Sequence, residues 1–343
     1  MPVGPSSRLW AVTSYFNPAG YRRRRDNYRV FRDRLALPLA TIELSFSGRF
    51  VLGPQDAELL IQIHGRDVLW QKERLLNLAI DALPAHCTQV ALLDCDVVFV
   101  RPDWAAALSR RLDEVPLVQP FGTVHYPPPD VPCDSPLALA GDYTRPSVGS
   151  LVEQGLPMGP VLRHFPARLP GIRSPGHALA ARRDLLQEHG LFDAAIVGGG
   201  DGLLLAAALG HVHELIQVHV MNEAYAACYL AWSERFRRDV QGELGSVPGD
   251  LVHLWHGTME DRRSPQRYHD LATFDYNPAE DIALDASGCW RWNSDKPAMH
   301  AYVRDYFDIR NEDGRDQVEA HPPQRAHGAV RSAQPSWALG ARP

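Results

Sequence analysis

The chain has 343 residues, 45% of them hydrophobic and 22% charged, an ordinary globular balance that supports one large α/β domain with a sizeable core. Its net charge of -6 repels a nucleic-acid backbone, so no nucleic-acid partner is expected, and a phosphate-bearing substrate would need a local positive site or a bound cation. Five scattered cysteines (Cys87, Cys95, Cys133, Cys228, Cys289) argue against a disulfide framework or zinc knuckle. With no signal peptide in MPVGPSSRLWAV and no apolar run long enough to span a bilayer, they point to a cytoplasmic protein, while peripheral membrane contact stays open.

In chain order, LWAVTSYF from Leu9 to Phe16 reads as a buried strand ending at the turn Asn17-Pro18-Ala19-Gly20. A helix is expected from Arg23 to Leu35, with Tyr28, Phe31 and Leu35 as its apolar stripe, then a strand from Leu39 to Phe46. LLIQIH gives a third extended run, and Leu69, Leu75, Leu76, Ala79 and Ile80 build a helix closed by Pro84. QVALLDCDVVFV reads as one continuous strand, followed by a helix over DWAAALSRRLDEV. Strands alternating with helices predict a mostly parallel sheet covered on both faces, with ligands gathering outside the carboxyl ends of its strands.

The second half is less regular. YPPPDVPCDSP is a proline-rich loop within Tyr126 to Pro136. GHALAARRDLLQEHGLFDAAIVGGGDGLLLAAALG reads as strand, helix, glycine-rich turn and helix. A long helix is expected from Asn222 to about Val240, and LVHLWHG is a short strand ending at Gly257. The expected division is a tail over 1–8, a main domain over 9–260, a helical extension over 261–313 and a disordered tail over 314–343.

Asp94-Cys95-Asp96 is the first chemical candidate. On an extended segment residues two apart share a face, and two carboxylates there repel unless a cation sits between them. Hard cations such as Mn²⁺ or Mg²⁺ take such carboxylates together with substrate phosphates. Two solvated acids at a strand end are the plainer account, against which stands the apolar sequence on both sides. Arg22 to Arg25 suit either a solvated helix start or a phosphate contact. Lys72 and Arg74 are candidate diphosphate contacts and Asn77 a base or ribose contact, with surface roles as the alternative. After Gly198-Gly199-Gly200, Asp201 is either a helix cap or a base that takes the proton of an acceptor hydroxyl. His253 and His256, three apart on a strand, would face opposite sides, and only His256 at the strand end is placed to complete the carboxylate site. The four tryptophans Trp70, Trp255, Trp290 and Trp292 read mainly as core.

Together these pieces resemble a GT-A-fold glycosyltransferase of bacterial or phage type. VTSYFNP resembles the first nucleotide-binding strand, LLDCDVVFV the Asp-x-Asp strand, and HLWHG the late metal-ligating histidine. GHALAARRDLLQEHGLFDAAIVGGGD is similar to the acceptor-side segment of galactosyl- and N-acetylgalactosaminyltransferases, with Gly200 in the slot of their glutamate and Asp201 keeping their aspartate. FDYNPAEDIALDASGCWRW and KPAMHAYVRDYFDIRNEDG resemble the C-terminal part of such proteins, so the likeness spans about residues 9 to 313.

The resemblance implies a GT-A-like, Rossmann-type mixed sheet in a single large domain with a helical C-terminal extension. It also implies transfer from a nucleotide-diphosphate sugar, with a UDP-sugar the expected donor, to a glycan or other hydroxyl acceptor. Asp94, Asp96 and His256 would hold Mn²⁺ or Mg²⁺; Thr13, Ser14, Tyr15, Phe16, Lys72 and Asn77, with Asp94, would hold the nucleotide; Asp201 would activate the acceptor in an inverting course. A retaining course stays open. A non-catalytic sugar-binding scaffold is the alternative, supported by Gly200. A haloacid-dehalogenase-type phosphatase also begins with an apolar-Asp-x-Asp run, but it needs a lysine ahead of a later acidic motif, and none lies between Asp96 and Asp201.

Overall fold

The computed structural model describes residues 7–141, 143–163, 174–264 and 266–314. The expected terminal tails, apart from Ser7, Arg8 and Gly314, lie outside the described residues. In chain order the elements are β1 Leu9–Phe16, α1 Arg22–Arg34, β2 Leu39–Ser45, β3 Leu59–His64, α2 Lys72–Asp81, β4 Gln89–Leu93, β5 Val97–Phe99 and α3 Trp104–Glu114. There follow β6 Leu117–Gln119, β7 Thr123–His125, β8 Thr144–Pro146, α4 Val148–Glu153, α5 Met158–Arg163, β9 Ala178–Arg182, α6 Arg183–His189, α7 Gly200–Leu209 and α8 Val212–Val218. The chain continues with α9 Glu223–Val240, β10 Leu244–Ser246, β11 Asp250–His253, α10 Gln266–Ala272, α11 Pro278–Asp281, β12 Ile282–Leu284, β13 Trp290–Trp292 and α12 Pro297–Asp308.

Seven strands form the main sheet in the order β10-β6-β9-β4-β1-β2-β3. β1 pairs in parallel with β2 and β4, β2 with β3, and β6 with β10, while β9 runs antiparallel between β4 and β6. The fold is therefore mixed α/β, mostly parallel and flanked by helices, as the sequence pattern predicts. Period-two alternation sends the two faces of each strand into different cores. Trp10, Val12 and Phe16 of β1, with Val90 and Leu92 of β4, pack on the side of α2, α6, α7 and α9. Leu9, Ala11 and Tyr15, with Ala91 and Leu93, pack on the side of α1 and α3.

The Asn17-to-Gly20 turn forms as expected: Asn17 accepts from the Tyr21 N–H at 2.9 Å and donates to its carbonyl at 2.8 Å. α1 then opens with its Arg22 and Arg23 N–H groups bonded to the carboxylate of Asp313 at 3.0 and 2.6 Å. A distant acid thereby satisfies two of the donors that a helix start leaves open. In the same way the C-terminal segment reaches back across the sheet's carboxyl edge, where the ring of Phe307 stacks on Trp70.

Two local expectations are corrected. QVALLDCDVVFV is not one strand: β4 stops at Leu93 and β5, three residues on, belongs to a second sheet of order β5-β11-β7-β8. On the β1 side the pairing ends at Leu92 and the Thr13 hydroxyl donates to the Leu93 carbonyl at 2.7 Å, while on the β9 side one further bond, Asp94 N–H to His177 O at 2.8 Å, carries the register to the first acid. The strand over LVHLWHG ends at His253 rather than Gly257. Among the described residues no helix is long and apolar enough to cross a membrane, and all five cysteines are free.

Candidate cation and transfer site

The break between β4 and β5 places Asp94 and Asp96 on one cleft with different partners. Asp94 takes the ammonium of Lys72 at 2.6 Å, and Lys72 also reaches both oxygens of Asp201 at 3.0 and 3.1 Å. Lys72 opens α2 and Asp201 lies in the first turn of α7, so two helix starts and a strand end meet. Burial acts to lower the Lys72 pKa, but the surrounding Asp201, Asp94 and Glu73 carboxylates outweigh it and hold the value well above the ordinary one. Asp94 is raised by burial, against the pull of Lys72. Glu73 is buried beside them, and its pKa is pushed up to about 8, chiefly by burial.

The second cluster is built on Asp96. His256 Nε2 stands 3.0 Å from Asp96 Oδ2, His253 Nε2 stands 3.7 Å from Oδ1, and the two imidazole nitrogens are 3.1 Å apart. The expectation that these histidines face opposite sides is overturned, because β11 ends at His253 and the chain bends while the Leu254 N–H donates to Asp96 O at 2.8 Å. Burial drives His253 well below the ordinary histidine pKa. Burial works against ionisation of Asp96, yet His256, His253 and Arg24 outweigh it and depress its pKa.

This donor set fits a divalent cation. Ligand atoms of Asp96, His253 and His256 all lie within 4.8 Å of one another, and Asp96 Oδ1 is buried without a hydrogen-bond partner. Behind them His256 Nδ1, buried without a hydrogen-bond partner, faces Glu312 Oε1 at 3.7 Å, within ion-pair distance of a carboxylate. Glu312 is fully buried and carries Arg24 at 2.7 Å and Arg310 at 2.7 Å. Burial opposes its charge, but the two guanidinium groups hold it well below the usual carboxylate range.

Among the described residues the cleft is lined by Arg24, Lys72, Arg145, Arg262, Arg267 and Arg310 against three carboxylates, Asp94, Asp96 and Asp201. A chain of net charge -6 thus concentrates positive charge at this one concavity. Thr13, Ser14 and Phe16 border it. Tyr15 does not: it is buried in the core on the side of α1 and α3, against Tyr28. Asn77 is also elsewhere, bonded through both ends of its amide to the backbone of Leu191 at 2.7 and 3.1 Å. Arg74 donates to the Gly288 carbonyl and faces Asp193. Of the arginine run only Arg24 lines the cleft.

Several contributors escaped the sequence reading. His177 accepts the Asp94 N–H at its carbonyl, shares a 2.8 Å hydrogen bond with the Tyr126 hydroxyl and stands 3.8 Å from Asp94; burial lowers its pKa to about 4. Its φ of 76°, rare for a residue with a side chain, has no sequence signature. Glu73, Arg262, Arg267 and Arg310 lie in no motif that singles them out, and only the folded chain brings them near the site. Gly199 stands at φ 99° as the start of α7, where a β-carbon would also meet the His219 ring at 2.7 Å.

No family model and no curated protein matches the chain. Solved structures resemble it distantly. Glucosyl-3-phosphoglycerate synthase from Mycobacterium tuberculosis, in complex with Mn²⁺, UDP-glucose and phosphoglyceric acid, is 12% identical at TM-score 0.36, covering 83% of this chain and 85% of that one. A mannosyltransferase from Pyrobaculum calidifontis with GDP-mannose and Mn²⁺ is 14% identical at TM-score 0.35, covering 95% and 78%. The catalytic domain of a Drosophila β1,4-galactosyltransferase is 10% identical at TM-score 0.34, covering 85% and 96%. At these values the likeness carries no argument about chemistry, which rests on the site itself.

Proposed function

We propose that the protein is a divalent-cation-assisted glycosyltransferase that moves a sugar from a nucleotide-diphosphate donor to a hydroxyl acceptor. The observation that carries this reading is the pairing, on one cationic cleft, of the Asp96–His253–His256 donor set with the Lys72–Asp94–Asp201 cluster. Asp96, His253 and His256 would hold Mn²⁺ or Mg²⁺, and two imidazole nitrogens favour Mn²⁺. When bound, the ion neutralises charge on a departing diphosphate.

The remaining work falls to side chains. Arginines lining the cleft hold a dianionic leaving group by charge-assisted hydrogen bonds, and the Thr13–Ser14–Phe16 edge borders the nucleotide. Tyr15 and Asn77 take no part, given where they lie. Asp201, oriented by Lys72, accepts the proton of the acceptor hydroxyl in an inverting course. Uridine remains the proposed base and a glycan or other hydroxyl compound the proposed acceptor.

The glutamate slot occupied by Gly200 was the support for a non-catalytic scaffold. Here that space is filled by the carboxyl of Glu73 from α2. An acid is thus present at the position, supplied by another element. Binding and turnover of UDP-, GDP- and CMP-sugars, each with Mn²⁺ or with EDTA, tests the proposal. Metal-dependent binding of one donor, lost in Asp96→Ala, is the expected result; no nucleotide-sugar binding with any metal would overturn it.

A further inference from the structure

The Asp96–His253–His256 cluster already has a cationic neighbour. Arg262 Nη2 donates to His256 Nε2 at 2.8 Å. A guanidinium can only donate, so in this contact the nitrogen is the acceptor and Arg262 engages its one lone pair. A metal ion held by the same nitrogen would need that lone pair. One lone pair cannot serve both, and a permanently charged guanidinium beside a divalent ion adds repulsion to the steric conflict.

We infer that Arg262 and a divalent cation are alternative occupants of one seat, so that the ion enters Asp96–His253–His256 only when Arg262 leaves. The inference rests on the proposed reading of that cluster as a cation site. Arg262 is poorly held for a side chain so placed. Its Nε is buried with no hydrogen-bond partner, and among the described residues no carboxylate comes within ion-pair distance of it. Its backbone lies in a stretch of turns between β11 and α10, outside any helix or strand, where rearrangement breaks no ladder. The Tyr306 hydroxyl donates to the Arg262 carbonyl at 3.3 Å, a weak tether.

The physical consequence is a conditional site. An ion arriving alone must expel Arg262 and leave it without a partner, so the apparent affinity is reduced by the fraction of molecules in which the seat is open. A diphosphate in the cleft offers the displaced guanidinium new acceptor oxygens, which couples its binding to that of the ion in both directions.

The test is binding of Mn²⁺ alone, followed by loss of the free-ion paramagnetic resonance signal, for wild type, Arg262→Met and Arg262→Gln. Each variant is first matched to wild type by circular dichroism, and the two guard against one failing to fold. Asp96→Asn in the Arg262→Met background reports whether the ion sits in the named cluster. Tighter Mn²⁺ binding by at least about tenfold without Arg262, abolished by Asp96→Asn, is expected. Unchanged or weaker binding that still depends on Asp96 overturns the exclusion and leaves the cation site standing. No Asp96-dependent binding in any protein overturns both.

Discussion

The carboxyl of Glu73 lies against the Cα of Gly200: a β-carbon at that glycine would stand 2.6 Å from Glu73 Cγ and closer still to the carboxyl group. Two opposing effects therefore meet at Gly200→Ala. In a helix, alanine is favoured over glycine by about 1 kcal/mol, while forcing atoms into a filled space costs about 1–3 kcal/mol. The second wins, and Gly200→Ala is expected to destabilise the protein in urea unfolding. The same change made in Glu73→Ala should lose most of that penalty, since the opposing side chain is gone; a penalty undiminished there would refute the contact as its cause.

Lys72 separates two carboxylates, at 2.6 Å from Asp94 and 3.0 Å from Asp201. Lys72→Met leaves both acids facing one another at a site where Lys72 is 12% exposed, and removal of one partner from a buried ion cluster costs about 3–5 kcal/mol. Asp201→Asn in the Lys72→Met background should recover part of the loss. Additive losses in a double-mutant cycle would show that the three groups do not act together.

Glu312 carries the other cluster, with side-chain exposures of 1% for itself, 14% for Arg24 and 6% for Arg310. Glu312→Gln keeps the shape and removes the charge that both guanidinium groups share. A stability loss of about 3 kcal/mol is expected. Because Glu312 backs His256, Mn²⁺ affinity should also fall by about 10–100-fold, measured on the folded fraction. A variant as stable as wild type with unaltered ion binding would contradict both roles.

His219 stacks on Tyr268 at 3.9 Å, and burial, helped by Arg267, lowers its pKa from 6.5 to about 3. The unfolded chain thus binds a proton near pH 6.5 that the folded chain refuses until about pH 3. Its contribution to stability is present above pH 6.5 and is lost as pH falls toward about 3. His219→Phe keeps the stacking and removes this proton uptake. The drop in urea midpoint between neutral pH and mild acid should be smaller in the variant, and an equal drop would exclude His219 as a contributor.

The sequence by itself determined the elements whose faces repeat along the chain. Leu9–Phe16, Leu59–His64 and the helix capped by Asn222 are where periodicity and turn residues place them, and the helix ahead of Pro84 forms too, though it starts at Lys72 and leaves Leu69 outside. Local alternation reports which side of a segment is buried, and a mostly parallel α/β sheet follows from the order of those segments. It failed at QVALLDCDVVFV, where uniform apolarity concealed a passage from one sheet to another, and at His253 and His256, where the strand ends four residues before the expected Gly257.

Only the tertiary structure decided which polar groups meet. Asp94 and Asp96 are adjacent but one residue in sequence, yet the fold gives the first to Lys72 and the second to two histidines more than a hundred residues away. Thr13 and Tyr15 are two apart on one strand and share its face, yet Thr13 borders the cleft while Tyr15 is buried beside Tyr28. Glu73, Arg262 and Glu312 carry no local pattern, because a charged side chain looks the same in sequence whether water or a distant carboxylate surrounds it. Its environment is set by where chain reversals bring remote segments, a long-range property that spacing along the chain does not encode.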